Sequence, residues 1–526
     1  MYYEISYMED KIMELIKENI TVNQVCSKGC VKTSVDEDII VPDVKPDILK
    51  VLQLDASACV TAKNVSDGKA TASGRTDLKI LYIPESDSEN IKSIVTSFDF
   101  SQNIDSGDIN AGMKALISAN VENAEFTLIN SRKLRIKVTV ALDYEIVNEN
   151  SIEIAVDAEQ SDDAEILKET VSLQNCIGIS ESEFCLSENI EIPAGQTAIN
   201  EILKADASIT DTEYKTVIGK IIAKGAANAS VLYTDEENKI RFMEAEIPFT
   251  EVFELEDAGD ETICDIEYVV TDINARAKED SDGDRRVICL DITVCAQIKA
   301  TENVEVNMIS DCYEPYMKTG LEKEAAELEE IVSRPSTQNT IRETVETEGD
   351  SAGVAGIYDV ITRPYVTNAE LQNGRLLAEG KIESCVLCLT DNEESPVCSV
   401  KKEIPFSCTM NAGADDAENL VPEIKAEVKH TAYNLNMAGE IELRCVLHVG
   451  ANIVRKRKIE LISDVVTEER DENDRRGIVI YFVQSGDTLW EIAKRYAVPR
   501  SEILSFNNLT DDDALPTGAR LLIPNM

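Results

Sequence analysis

At 526 residues the chain is long enough for three or four folded units of about 150 residues each, and its 43% apolar content excludes global disorder. Lys plus Arg number 51 against 99 Asp plus Glu, a formal charge of −48, which repels phosphate backbones and anionic lipid heads and excludes nucleic acid as a direct partner. With only two histidines, His430 and His448, acid–base, nucleophilic and metal chemistry have few candidates.

The start, Met1 to Ile20, lacks the basic region and apolar run of a secretory signal. Acidic, basic and apolar residues alternate from Tyr7 to Ile20 as on a short surface helix, so residues 1–30 are expected to be an N-terminal helical segment. No stretch approaches the roughly 20 apolar residues of a spanning helix. A chain without an export signal is expected in a reducing cytosol, its fourteen cysteines free of disulfides and metal and packed as small hydrophobes.

Self-comparison then finds one unit three times. Gly74 to Tyr82 reads GRTDLKILY, Gly225 to Tyr233 reads GAANASVLY, and Gly380 to Cys388 reads GKIESCVLC. Downstream in each stands a second landmark: FDFSQ around Phe100, IPFTE around Phe249 and IPFSC around Phe406. Each copy closes on an alternating strand. Leu134, Ile136, Val138, Val140 and Leu142 share a parity in the first, Ile288, Leu290, Ile292 and Val294 in the second, and Ile441, Leu443, Cys445, Leu447 and Val449 in the third. A period of two buries one face and wets the other. Each copy is therefore expected to be a small antiparallel β domain, a sandwich or barrel, at 31–155, 186–310 and 346–466. Residues 156–185, 311–345 and 467–477 are acidic or charged and less periodic, and are expected to be linkers that allow domain motion. Gly320 to Val332 (GLEKEAAELEEIV) is expected to form a helix in the second of them.

The tail, 478–526, follows β-α-α-β order. Tyr481-Phe482-Val483 predicts a strand, Thr488 and Glu491 a capping box, and Leu489, Ile492, Ala493 and Tyr496 an apolar helical stripe. Pro499 separates a second helix with Ile503, Leu504 and Phe506, and Leu521-Leu522-Ile523 predicts a final strand. The Val-x-x-Gly-Asp-Thr-Leu opening (Val483 to Leu489), the Ile-Ala pair, Asn507 and the Gly-x-x-Leu-x-Ile-Pro ending closely resemble the LysM domain. LysM domains commonly bind N-acetylglucosamine polymers in a shallow groove. The resemblance places the groove between Gly486, Asp487, Thr488, Leu489 and Trp490 on one wall and the loop Asn508, Leu509 to Leu515 on the other. Off the inward stripe, Trp490 is expected to be partly exposed and to anchor a partner; the alternative is that it only covers the edge of the module's small core. The bland alternative is that Gly486, Asp487 and Thr488 only turn the chain and cap the helix.

The triple unit, with its glycine, hydrophobic-Leu-Tyr strand and Ile-Pro-Phe-Ser/Thr segment, resembles the SPOCS domain of spore-forming bacteria. The second copy is the clearest; the first has Phe98-Asp99-Phe100 and the third has Cys388 in place of tyrosine. Three SPOCS-like units before one LysM domain resemble spore-envelope morphogenesis proteins. That resemblance implies a structural adaptor in the mother-cell cytoplasm at the forespore surface, with a coat morphogenetic protein such as the ATPase SpoIVA as its partner. The alternative is a peptidoglycan binder of the wall or cortex. No cofactor is expected. Cys385-x-x-Cys388 spans opposite faces of a strand, Cys26-x-x-x-Cys30 has no second ligand pair, His448 falls on an outward parity, and Asp511-Asp512-Asp513 lacks the glycine and spacing of a calcium loop. With no P-loop, G-x-G-x-x-G or G-x-S-x-G motif, catalysis is not expected.

Overall fold

The computed structural model describes residues 11–12, 14–85, 91–159, 164–346, 354–390, 397–413, 420–436, 440–470, 477–510 and 515–524. It is almost wholly antiparallel β, with two short helices near the C-terminus. Each copy is a pair of sheets. In the first, an inner sheet orders Ile48–Ser66, Lys69–Pro84 and Lys92–Asp105, and an outer sheet orders Leu15–Ile40, Lys133–Ala158 and Lys114–Asn130. The second repeats this with Ile199–Val217, Lys220–Asp235 and Ile240–Glu254 inside, and Glu165–Glu191, Arg285–Tyr313 and Ile263–Glu279 outside. In the third, Val354–Gln372, Arg375–Thr390 and Val397–Asn411 form the inner sheet. Its long outer strand Ile441–Glu469 pairs with Leu420–Leu435 and with Met317–Ser333 and Ser336–Val345. The last two are one edge interrupted at Pro335, which has no N–H to give the ladder.

The alternating strands are the outer-sheet centres. Leu134, Ile136, Val138, Val140 and Leu142 are buried against Ala70, Ala72, Leu78, Ile80 and Tyr82 of the inner sheet. The paired landmarks also have a physical reason. Gly74 lies directly opposite Phe100, Gly225 opposite Phe249, and Gly380 opposite Phe406. A Cβ on Gly225 would stand 2.7 Å from the Phe249 ring, and one on Gly380 2.5 Å from the Phe406 ring. The glycine leaves the space that the cross-strand ring fills. In each copy the neighbouring strand bulges at this level, between Val60 and Ala62, Thr210 and Glu213, and Val366 and Asn368, bending the sheet there.

The copies close into a ring. The third inner strand of each packs on the first inner strand of the next, and the third copy returns to the first. At the centre, Leu81, Leu232 and Leu387, the leucines before the Tyr or Cys of each motif, share one core with Leu52, Leu203 and Tyr358 and with Ile91, Phe242 and Val397. Opposite the three leucines stand Gln53, Lys204 and Asp359. Lys204 is buried and bridges Asp359 at 2.8 Å, Asp206 at 2.8 Å and Asp55 at 3.3 Å, joining all three copies. Further out, the far halves of the long strands meet in a second shared core of Ile20, Ile154, Val171, Leu173, Val306, Met308, Ile459 and Leu461. Lys11–Ile12 pairs with Val466 and Thr467, tying the first copy's leading segment to the third.

Three expectations are corrected. The N-terminal segment is not helical where it is described: Leu15–Ile40 is a strand of 26 residues, while residues 1–10 lie outside the described residues. The Glu-rich Gly320–Val332 is strand, within Met317–Ser333, because the Val- and Ile-rich Ile441–Glu469 offers it an edge; tertiary pairing overrides helix propensity. Residues 156–185 and 311–345 do not read as free linkers either. Most of both belongs to long strands paired at Arg285–Tyr313 and Ile441–Glu469, and the copies share cores rather than swinging independently. Of 467–477, residues 471–476 lie outside the described residues.

Candidate functional site

The C-terminal module is built as its sequence suggests. Ile478–Phe482 pairs antiparallel with Arg520–Pro524, and the helices Leu489–Tyr496 and Arg500–Asn507 cover one face of that ribbon. Gly486 has a positive φ of 91° in the turn. Thr488 caps the first helix: its hydroxyl accepts from Glu491 N–H at 3.2 Å, while Glu491 accepts from Thr488 N–H at 3.1 Å. Asp487 is held within the turn, accepting from Tyr481 O–H at 2.6 Å and Gln484 N–H at 2.7 Å. Those two hydrogen bonds lower the Asp487 pKa, so it is an ionised clamp. Asn507 ties the second helix to the last strand, its amide donating to Leu522 O at 2.8 Å and its carbonyl accepting from Leu522 N–H at 2.8 Å.

The expected groove residues divide into two sets. Gly486, Thr488 and Asn508 are exposed, whereas Leu489 and Leu509 are half-buried against the module's own core. The far end of the second wall, 511–514, lies outside the described residues, as does the Asp511-Asp512-Asp513 run. Trp490 is a correction. It is 8% exposed, because it serves as a contact to the ring of domains instead of a free anchor. Its indole N–H donates to Asp311 at 2.7 Å, and its ring meets Tyr313 edge-on with centroids 5.2 Å apart. Around it, Lys494 pairs with Asp311, Arg500 with Glu165 at 3.1 Å, and Tyr316 O–H donates to Glu502 at 2.6 Å. Tyr313 O–H donates to Val498 O at 2.9 Å. The module is thus docked on the tips of the long strands Glu165–Glu191 and Arg285–Tyr313. No spacing within the tail could have announced this, since the partners of Trp490 lie in the second copy.

With that helix face engaged, the opposite side of the module is open. Ile478, Ile480 and Phe482 are 59%, 56% and 56% exposed. Register places Leu522 beside Ile480 and Arg520 beside Phe482 on that face, while Val479, Tyr481, Leu521 and Ile523 turn inward to the helices. The sequence carried the signal, an apolar residue at every position of Ile478–Phe482, and the strand reading did not use it. An exposed, contiguous apolar stripe on a small domain is a feature of binding surfaces.

Elsewhere, a cavity of about 640 Å³ lies where the copies meet, but its charges already answer one another. Lys299 pairs with Glu145 at 2.6 Å, Lys425 with Glu267 at 3.1 Å, and Lys28 with Glu145 at 3.2 Å and with Glu423. Among the described residues no group of His, Cys, Asp and Glu is arranged to hold a metal ion. None of their helices is long and apolar enough to cross a membrane. Cys385 is half-buried and Cys388 buried, on opposite faces of their strand.

A ring of three β domains with a docked ligand-binding-type module defines a repeat-built scaffold. Residues 47–129, 198–278 and 354–436 each match the SipL, SPOCS domain family, and residues 481–524 match the LysM domain. The chain therefore carries three SipL SPOCS domains and a C-terminal LysM domain, a SipL-like architecture. Each SPOCS match takes in an inner sheet and one outer strand, and leaves out the long strands that build the second shared core. The uncharacterized protein YkzQ of Bacillus subtilis (strain 168) is 43% identical over 37 residues, 7% of this chain and 49% of YkzQ, so the likeness spans about half of that relative. No solved structure matches the chain.

Proposed function

We propose that the protein is a non-enzymatic adaptor of spore-envelope assembly that acts at the forespore surface in the mother cell. In this reading the LysM domain grips a coat morphogenetic protein of the SpoIVA type. The SPOCS and LysM matches support a sporulation-related adaptor. The observation that carries the protein-binding reading is the apolar stripe Ile478, Ile480 and Phe482, more than half exposed on the side of the module that faces away from its docked helix. Sugar-binding surfaces present aromatic faces and polar groups together, and the one tryptophan of this chain is spent on docking. An apolar stripe rimmed by Arg520 and Gln484 suits a protein surface better. On a chain with a net charge of −48, that surface is expected to be rimmed by basic residues.

The glycan alternative keeps one specific support: Gly486, Thr488 and Asn508 remain exposed where the family's groove lies. One experiment separates the two. The full chain and its Ile480→Glu and Phe482→Glu variants are tested against SpoIVA and against purified peptidoglycan. Loss of an anchor of about 1.5–3 kcal/mol, roughly a ten- to hundredfold weakening of SpoIVA binding, supports the adaptor. Glycan binding that survives both variants and falls with Thr488→Ala or Asn508→Ala, with no SpoIVA retained by the unaltered chain, would replace it with the peptidoglycan reading.

A further inference from the structure

We propose that Cys388 and Cys398 are a peroxide-sensitive pair that closes into a reversible disulfide across the inner sheet of the third copy. They stand directly opposite each other on Arg375–Thr390 and Val397–Asn411, with their sulfurs 2.7 Å apart. A disulfide needs Cα atoms about 4.4–6.8 Å apart, and directly opposed residues of an antiparallel pair are about 4.5–5.5 Å apart, so the bond requires no change of register.

Comparison of the copies makes the pair more than a packing accident. The same cross-strand position is Tyr82 opposite Lys92 in the first copy and Tyr233 opposite Arg241 in the second. Both tyrosines are fully buried and reach back to fasten the loop before their sheet. Tyr82 O–H donates to Pro46 O at 3.1 Å, and Tyr233 O–H to Gln196 at 2.7 Å. In the third copy both members of the pair are cysteine. Cys388 is too short for the tyrosine's reach, and a bond to Cys398 supplies a tie of a different kind. The strands it would join carry Leu387 and Val397, adjacent to the two cysteines and part of the core shared by all three copies.

The surroundings assign each thiol its part. Cys388 is buried and Cys398 half-buried, so a small oxidant meets Cys398 first. The hydrogen bond from Cys388 lowers the Cys398 pKa against the effect of burial, and the Lys50 charge of the first copy adds to the lowering. The same hydrogen bond, then burial, raises that of Cys388. The Cys398 thiolate attacks hydrogen peroxide, breaking the O–O bond and leaving a sulfenic acid and hydroxide. Cys388 then attacks that sulfur through its own, loses its proton and expels the oxygen as water. The balance is two thiols and one hydrogen peroxide to one disulfide and two waters, with two electrons passing to the peroxide.

The reduced full chain is treated with hydrogen peroxide, its remaining thiols are alkylated under denaturing conditions, and it is cleaved at Glu393 and Glu394 so that only a disulfide can hold Cys388 and Cys398 together. The expected result is a linked peptide that accounts for most of both residues while the majority of the other cysteines carry the alkyl label. The link should persist in Cys385→Ser, vanish with dithiothreitol, and raise the melting temperature by several degrees, a gain absent from Cys398→Ser. Alkyl label on both residues after treatment, a link from Cys398 to Cys385 instead, or an equal thermal gain in Cys398→Ser would overturn the assignment.

Discussion

Replacing Lys204 by methionine tests the reasoning about the centre of the ring, because the structure says which group the change strands. Three carboxylates face the ammonium, but two have other cations: Asp55 pairs with Arg363, and Asp206 with Lys79 at 2.6 Å. Asp359 has Lys204 as its facing cation, at 2.8 Å, with side chains 2% and 11% exposed. Lys204→Met therefore leaves one buried carboxylate without its counter-charge, and breaking such a pair costs about 3–5 kcal/mol. For a cooperatively unfolding ring of this size, at about 1 °C per kcal/mol, the melting temperature should fall by roughly 3–5 °C at pH 7. Burial already raises the Asp359 pKa in spite of Lys204, and losing Lys204 raises it further. A group with a raised folded value binds its proton more readily when folded, so the variant's deficit should shrink as pH falls from 7 toward the ordinary 3.8. Asp206 runs the other way. Burial would raise its pKa, but Lys204 and Lys79 hold it at about 2; its stabilisation is present above about 3.8 and is lost as pH falls toward 2. The double variant Lys204→Met, Asp359→Leu should recover most of the loss. Thermal melts by circular dichroism at pH 7, pH 5 and about pH 3 read all of this. A loss under about 1 kcal/mol for the single variant, or no recovery in the double, would refute the argument.

Other outcomes follow from single contacts. Gly380→Ala should destabilise more than Gly225→Ala: its Cβ would meet the Tyr365 carbonyl at 2.0 Å as well as the Phe406 ring, whereas at Gly225 the nearest atoms belong to side chains. Differential scanning calorimetry would rank them, and the reverse order would count against the bulge. Trp490 is the sole tryptophan, so its fluorescence reports docking of the module. Asp311→Ala removes the acceptor of its indole N–H, and its emission should shift to longer wavelength while the far-ultraviolet dichroism stays unchanged. Trp490→Ala should loosen the module from the ring, seen as faster proteolytic release of the module, before it affects the module's own fold.

Much of this was legible because it is local or periodic. Alternation marked the outer-sheet strands, repetition marked the three copies, and the capping residues Thr488 and Glu491 marked the first helix of the tail. Features formed between segments distant in sequence were not legible. GLEKEAAELEEIV has the composition of a helix, and nothing within it reveals the edge that Ile441–Glu469 presents. Trp490 falls off its helix's inward stripe, so it reads as exposed until Tyr313 and Asp311 arrive from the second copy. Lys204 looks like an ordinary polar residue of an alternating strand. A signal was nevertheless present: it follows Leu203 and precedes Ala205, and its counterpart Gln53 sits between Leu52 and Leu54. A polar residue flanked by apolar ones at the same place in successive copies marks a shared polar centre.

That centre also explains why the copies cannot be interchanged. Three domains in a head-to-tail ring bring equivalent positions together, so identical residues at the position of Gln53, Lys204 and Asp359 would face one another. Three lysines or three aspartates there would bury like charges, a cost of several kcal/mol per unpaired ion, and three leucines would leave Asp55 and Asp206 with fewer cations. The chain instead places a neutral amide, a cation and an anion at the one position, so that the cation of the second copy answers the anion of the third. Exchanging Lys204 and Asp359 tests this step. The swap keeps the Lys–Asp pair but sets the new aspartate near Asp206 and Asp55 and moves the cation to the third copy's strand. If the centre is specified by its whole set of neighbours, the exchanged chain should melt well below the native one, by an amount similar to Lys204→Met. If only the pair matters, the exchange should melt within about a degree or two of the native chain, and the order of the copies would then have to be fixed elsewhere.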